Sequence, residues 1–188
     1  LTTGPMRPMA EGLSAADKRE IAIYLTGKKL GSEPKPDANL CRGRHGPPKP
    51  GPGDWSSWGV DADDTLYQPA PGLVATDVPR LKLKWAFAYP GGSAGAEPIA
   101  VGDRLFLATS GGLFALDAST GCTIWHSALG AGAKMVTAAP ASDGKLRLYF
   151  GDPRAQVSAL DADTGKVLWT VKVDDHPSGR ITGPVSVR

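Results

Sequence analysis

Cysteine is nearly absent: Cys41 and Cys122 are the only two in a chain of 188 residues. Two are too few for a disulfide-built scaffold, and their spacing suits no structural zinc site. One bridge and two free thiols both stay open on this reading. No apolar run approaches the roughly 20 residues of a membrane-spanning helix. Neither sign of charge dominates, with 21 lysines and arginines against 19 acidic residues and a net charge of +2. That balance excludes the basic footprint of a nucleic-acid or membrane-surface binder.

Glycine and proline are abundant instead, at 24 and 17 residues. Such punctuation suits many short strands and turns better than a helical bundle. The chain begins at Leu1, with no initiator methionine or signal peptide, and stops at Val187-Arg188 within what reads as a strand. An internal fragment of a longer protein is the expectation. Three regions separate by composition. Residues 1–28 hold the one convincing helix: Ser14 with Asp17 forms a capping-box pattern, Ile21, Tyr24 and Leu25 share a face, and Gly27 supplies the stop. Residues 29–54 are rich in proline and glycine and read as a linker. From Trp55 to Arg188 the pattern becomes short β segments, at 81–87, 104–108, 145–150 and 166–172.

A repeat organises that third region. Ala115-Leu-Asp-Ala-Ser-Thr-Gly-Cys-Thr-Ile-Trp125 recurs 44 residues later as Ala159-Leu-Asp-Ala-Asp-Thr-Gly-Lys-Val-Leu-Trp169, with seven of eleven positions identical. Trp85 precedes Trp125 by 40 residues, and Thr137 is echoed by Thr182 45 residues on. A period of about 40–45 residues, with four strands in each, is that of a propeller blade. Asp-x-x-Thr-Gly is a turn: the aspartate and threonine oxygens bond nearby N–H groups, and Gly121 and Gly165 permit positive φ. The turn joins a third strand to an outer fourth strand. The tryptophan on that outer strand is expected to bury its face against the neighbouring blade, so Trp85, Trp125 and Trp169 read as core. A single blade cannot cover its own faces. The predicted fold is therefore mainly β: blades near 95–128 and 135–173, a third beginning at 180–188, and the Trp85 strand as the outer strand of the blade that closes the ring.

Ala-x-Asp-x-x-Thr-Gly-x-x-x-Trp resembles the blade signature of the pyrroloquinoline quinone (PQQ) dehydrogenases and their non-enzymatic relatives. Trp55-Ser-Ser-Trp-Gly59, Tyr67-Gln-Pro-Ala70 and Leu81–Phe87 resemble the entry segment of such propellers. Tyr149-Phe-Gly-Asp152 and Asp174–Gly183 are similar to the polyvinyl-alcohol dehydrogenase family, in which a cytochrome c domain precedes the propeller in some members. The segment from Gly4 to Ser14, followed by a helix ending in Tyr24-Leu25, resembles the last part of a class I cytochrome c. There a methionine ligates haem iron, and Met6 matches that place better than Met9 does. No Cys-x-x-Cys-His haem-attachment motif occurs in the chain, and Cys41-Arg-Gly-Arg-His45 is not one.

The resemblance implies a truncated quinoprotein β-propeller behind a short helical remnant of a cytochrome c domain. It implies PQQ, Ca²⁺ and haem c as cofactors, with Met6 as the axial haem ligand. PQQ is a flat quinone with three carboxylates, so its site needs cationic and hydroxyl donors beside apolar walls. Thr137, Asp152, Arg180 and Thr182 are the candidates, with Thr137 and Thr182 at equivalent repeat positions where inner strands begin. His176, beside Asp174 and Asp175, is a weaker candidate base and is more simply a loop residue. His45 and His126 show no partner pattern. Catalytic residues and calcium ligands are expected outside the chain. The function implied is part of a periplasmic PQQ-dependent dehydrogenase. It would oxidise secondary or polymeric alcohols and pass electrons to a cytochrome. The competing reading is a non-enzymatic propeller that serves as a protein-binding scaffold. Cys41 paired with Cys122 would tie the linker to the first blade in an oxidising compartment.

Overall fold

The computed structural model describes residues 12–26, 39–43, 45–60, 65–89, 97–109, 111–129, 133 and 135–187. The chain divides into two units, residues 1–34 and 35–188. In the first, helix α1 spans Ala15–Thr26. Its start is the expected capping box: Asp17 N–H donates to Ser14 Oγ at 3.1 Å and Ser14 N–H donates to Asp17 Oδ2 at 2.9 Å. Ile21 and Tyr24 of the apolar stripe read from the sequence are exposed. Met6 and Gly27 lie outside the described residues.

The second unit carries two four-stranded antiparallel sheets. The first holds β1 (Ile99–Val101), β2 (Arg104–Thr109), β3 (Gly112–Asp117) and β4 (Thr123–Ser127), in that spatial order. The second holds β5 (Val136–Pro140), β6 (Leu146–Gly151), β7 (Gln156–Asp161) and β8 (Val167–Lys172). Each is a meander with its neighbours joined by short turns. The registers repeat as well: Ala115 stands opposite Trp125, Ala159 stands opposite Trp169, and both pairs are followed by a bulge at the next residue. A small alanine opposite each indole gives the ring room on the sheet. Ile99, Phe106 and Leu113 of the first sheet and Val136, Leu148 and Leu160 of the second belong to one buried cluster. Each such side chain contributes about 1.5–3 kcal/mol through burial.

The Asp-x-x-Thr-Gly turns form as the sequence predicts. Asp117 Oδ1 accepts from the N–H groups of Ser119 and Thr120, at 3.0 and 2.8 Å, and from both hydroxyls. Asp161 Oδ1 does the same with Asp163 N–H and with Thr164 N–H and Oγ1. Gly121 and Gly165 take φ of +73° and +70°. Each glycine is also the seat of a tryptophan from the preceding repeat. A Cβ on Gly121 would meet the Trp85 ring at 2.5 Å, and one on Gly165 would meet the Trp125 ring at 2.5 Å. Trp85 Nε1 donates to Ala118 O and Trp125 Nε1 to Ala162 O, each at 3.2 Å. Trp125 is 9% exposed, whereas Trp169, with no such turn facing it among the described residues, is 44% exposed. The turn of the following repeat, and not the strand itself, is what buries such a ring, and no turn of a third repeat lies among the described residues.

Two expected strands are absent. Residues 81–89 and 180–187 carry no sheet ladder. An alternating pattern makes a strand only where a partner supplies hydrogen bonds. The proline-rich stretch from residue 39 onward has no ladder of its own and is fastened to the first sheet. Cys41 is joined to Cys122 by a disulfide. Leu40 bridges Thr123, and Trp55 bridges Ala100. Asp54 Oδ1 accepts from Gly102 N–H at 2.8 Å. Arg104, fully buried, completes the fastening. It donates to Gly46 O on this stretch and, across to the second sheet, to Ala162 O at 3.2 Å and Asp163 Oδ1 at 3.1 Å.

Replacing Trp125 with alanine is expected to cost about 3–5 kcal/mol. Gly165→Ala is expected to cost about 1–3 kcal/mol, because the indole blocks the new methyl group. Trp169→Ala is expected to cost about 1 kcal/mol or less. Urea midpoints of the three variants check the ranking. A second expectation concerns acid. The Ser119 and Thr120 hydroxyls hold the Asp117 carboxyl down, from 3.8 to about 2. Burial pushes Asp161 up, but hydrogen bonds from Thr164 and Asp163 and the Arg147 charge outweigh it and lower its value. A folded-state value below the unfolded one gives stability that is present at neutral pH and lost on acidification. The urea midpoint should therefore fall between about pH 5 and about pH 2, and Asp117→Asn should flatten that fall.

Candidate functional site

β5 begins with Val136 and Thr137, paired to Phe150 and Tyr149 of β6. Along β5 runs a cavity of about 230 Å³, lined by Ser56, Ser57, Thr137–Pro140 and Pro184–Val187. Ser56 is held there by its carbonyl, which accepts from Ala138 N–H at 2.7 Å. Thr137 is 6% exposed. Its Oγ1 is buried without a hydrogen-bond partner among the described residues. A buried hydroxyl left unpaired costs about 1–3 kcal/mol, which makes it the natural contact for an acceptor entering the cavity. The other walls, Ala138, Ala139, Pro184 and Val185, are apolar.

The remaining candidates lie elsewhere. Asp152 is buried, and its Oδ1 accepts from Arg154 N–H at 2.8 Å and Gln156 N–H at 2.9 Å. That carboxylate shapes the β6–β7 turn. The Asp152 carbonyl accepts from Ile181 N–H at 3.0 Å, and a Cβ on Gly151 would overlap the Ile181 side chain. Arg180 and Thr182 flank this anchor and are exposed. The structure thus brings Asp152, Arg180 and Thr182 together around Ile181, while Thr137 lines the cavity with the serines. His176 Nδ1 accepts from Ser178 N–H at 3.1 Å, and the backbone N–H of His176 donates to Asp174 Oδ1 at 2.8 Å, so this histidine shapes its own loop.

Three features escape a reading of the sequence. Ser56 and Ser57 line the cavity from a segment that the repeat does not include. Arg104 joins the two sheets, and the signal for it is register: Arg104 pairs with Asp117 as Arg147 pairs with Asp161. His45 has partners after all, because its Nδ1 lies 3.9 Å from Asp117 Oδ2 and its ring stands beside both cysteines. No sequence spacing announces that group. Its members come from the proline-rich stretch and from a turn of the first sheet.

The described residues bring together one group of three or more histidine, cysteine or carboxylate ligands, and it contains no carboxylate. Hard cations such as Ca²⁺ take six to eight oxygen ligands. The described residues therefore do not fit a calcium site. A second cavity, of about 470 Å³, is walled by Pro47, Pro48, Pro50 and Pro140 with Asp161 and Asp163. Both carboxylates are already engaged, by Arg147 and by Arg104.

A profile of the PQQ_2 family, described as outer membrane protein assembly factor BamB, matches residues 23–187. A polyvinylalcohol dehydrogenase from a Pseudomonas species is 39% identical over 96% of the chain, and one from Sphingopyxis sp. (strain 113P3) is 37% identical over 99%. The chain spans about a third of the length of these relatives, 31% and 32%. Among solved structures, the quinohemoprotein alcohol dehydrogenase ADHIIG from Pseudomonas putida HK5 superposes with a TM-score of 0.56. The match covers 67% of this chain and 20% of that one, and at 24% identity it is a likeness of fold. No helix among the described residues is long and apolar enough to cross a membrane. Two four-stranded sheets interlocked by a tryptophan on a glycine turn, in a sequence related along its whole length to those dehydrogenases, place this chain in the PQQ_2 family, as a homologue of the polyvinylalcohol dehydrogenases that carries two consecutive blades of a quinoprotein β-propeller.

Proposed function

We propose that the chain forms part of a periplasmic quinoprotein dehydrogenase that oxidises secondary or polymeric alcohols, and that its second sheet contributes to the PQQ site. The observation that carries this reading is the buried Thr137 Oγ1, without a hydrogen-bond partner among the described residues, on a cavity wall of serines and apolar side chains. The cavity is smaller than the roughly 300–1,000 Å³ typical of whole-ligand pockets, so it suits one edge of the quinone. PQQ, when bound, would take up the electrons of alcohol oxidation. Thr137 donates its hydroxyl proton to a carboxylate oxygen of the cofactor, and the apolar walls of Ala138, Ala139 and Val185 exclude water from that contact. Arg180 and Thr182, on the exposed segment anchored by Ile181, supply a cation and a hydroxyl to a second carboxylate. Asp152 acts through position, because its carboxylate fixes the turn and its carbonyl fixes Ile181.

Residues 1–28 belong in this reading to a cytochrome c domain with Met6 as axial ligand, residues 29–54 to the connection, and 55–188 to the blades. The partner is then an electron-accepting cytochrome. The haem-attachment motif is absent from the chain, so these residues do not by themselves hold haem. The scaffold reading stays in play through the family description, which names an assembly factor.

Thr137→Val separates the two readings. In the protein that carries this chain, the variant should bind PQQ at least tenfold more weakly, since a hydrogen bond to a charged group is worth about 1.5–3 kcal/mol. Without PQQ it should be as stable as wild type or more so, because an unpaired buried hydroxyl is removed. PQQ titration by tryptophan fluorescence and urea unfolding of the ligand-free protein measure both. Unchanged affinity would remove Thr137 from the site, and no PQQ binding by the wild type would favour the scaffold.

A further inference from the structure

Away from the cavity, Cys41, His45 and Cys122 present ligating atoms that all lie within 4.8 Å of one another, in part-buried positions. The cysteines are joined, with Cα atoms 5.0 Å apart. The disulfide is not the only thing that holds them together. Cys41 N–H donates to Thr123 O at 2.8 Å, and Thr123 N–H donates to Asn39 O at 2.7 Å. Asn39 Nδ2 donates to Gly121 O at 3.1 Å. These bonds hold the backbone on both sides of the cysteine pair independently of the S–S bond.

The cysteine is also a departure from the repeat. Cys122 stands where the second repeat has Lys166, yet the turn around it is unchanged. Thr120 Oγ1 accepts from Cys122 N–H as Thr164 Oγ1 accepts from Lys166 N–H, each at 3.4 Å. The turn therefore does not require a cysteine. Thr120 Oγ1 lies 3.1 Å from Cys122 Sγ, within reach of a thiolate. Asp117 Oδ2 lies 3.9 Å from His45 Nδ1, on the outer side of the group.

We propose that the reduced form of this cluster is a Cys₂His site for a borderline divalent cation of the Zn²⁺ class, so that disulfide formation and metal binding exclude each other. Two thiolates and an imidazole are a donor set that Zn²⁺ takes in tetrahedral sites, with metal–sulfur distances of about 2.3 Å and metal–nitrogen distances of about 2.0–2.1 Å. Tetrahedral geometry then separates the sulfurs by about 3.8 Å, which Cα atoms 5.0 Å apart accommodate. The balance is simple. A dithiol reductant gives two electrons and two protons, the S–S bond breaks, two thiols form, and the reductant leaves as its own disulfide. Metal binding takes both thiolates and releases their two protons. The fourth coordination position is left to water.

The 188-residue chain is reduced with a dithiol, freed of reductant without air, and titrated with Co²⁺ alone. The expected result is one Co²⁺ per chain, with sulfur-to-cobalt charge-transfer absorption and the visible bands of a tetrahedral ion, both abolished by Zn²⁺. The oxidised chain should show neither. Reduced His45→Ala should keep the thiolate absorption but bind Co²⁺ at least tenfold more weakly. Three results would overturn the proposal. One is a reduced chain that keeps its β-sheet circular dichroism but shows no thiolate band. Another is loss of that dichroism on reduction, since the backbone bonds around the cysteines are held to survive it. The last is a His45→Ala chain that binds Co²⁺ as tightly as wild type.

Discussion

The structure depends on one interaction between consecutive repeats: an indole laid on a glycine turn of the next sheet. Trp125 lies over Gly165 so closely that no Cβ fits between them, and its N–H is satisfied by the Ala162 carbonyl. Both requirements fall on one short segment. The Asp161 carboxylate folds the turn, the glycine leaves its surface bare, and the turn's own carbonyl takes the indole proton. Trp85 and Gly121 repeat the arrangement one step earlier. Arg104, from β2 of the first sheet, adds a polar clip at the same boundary, with its guanidinium divided between the second sheet and the proline-rich stretch. The core shared by the two sheets is what this alignment makes possible.

That logic explains which parts of the fold could be read from the sequence. The repeat was legible because its turn is built from local hydrogen bonds, and local bonds leave a fixed spacing. Ala115 and Trp125 kept their spacing for the same reason, since they face each other across one hairpin. Long-range pairing left no such trace. Residues 81–87 have the composition of a strand but no ladder, and Trp169 has the spacing of a core residue but no seat among the described residues. His45 carries no motif, and only the laying of residues 39–55 along the first sheet brings it to Cys122 and Asp117.

The site was less legible than the fold. Thr137 is marked by its place in the repeat, and its buried hydroxyl, unpaired among the described residues, adds a physical reason. Asp152 is a candidate through the family resemblance and its place near the repeat threonines, and its carboxylate is occupied by two backbone N–H groups. Spacing cannot distinguish a carboxylate offered to a ligand from one used by its own turn. The serines that complete the cavity wall come from Trp55-Ser-Ser-Trp-Gly59, a segment whose resemblance to known propellers was visible but whose contact with β5 was not.

Hydrogen exchange at the indole nitrogens tests the interlock most directly. With each tryptophan Nε1–H resolved by NMR in the same chain, Trp125 should exchange as slowly as the central amides of β7, because freeing it requires the sheets to part. Trp169 Nε1–H should exchange orders of magnitude faster. Equal, fast exchange at Trp125 and Trp169 would show that the tryptophan seat does not hold consecutive blades together.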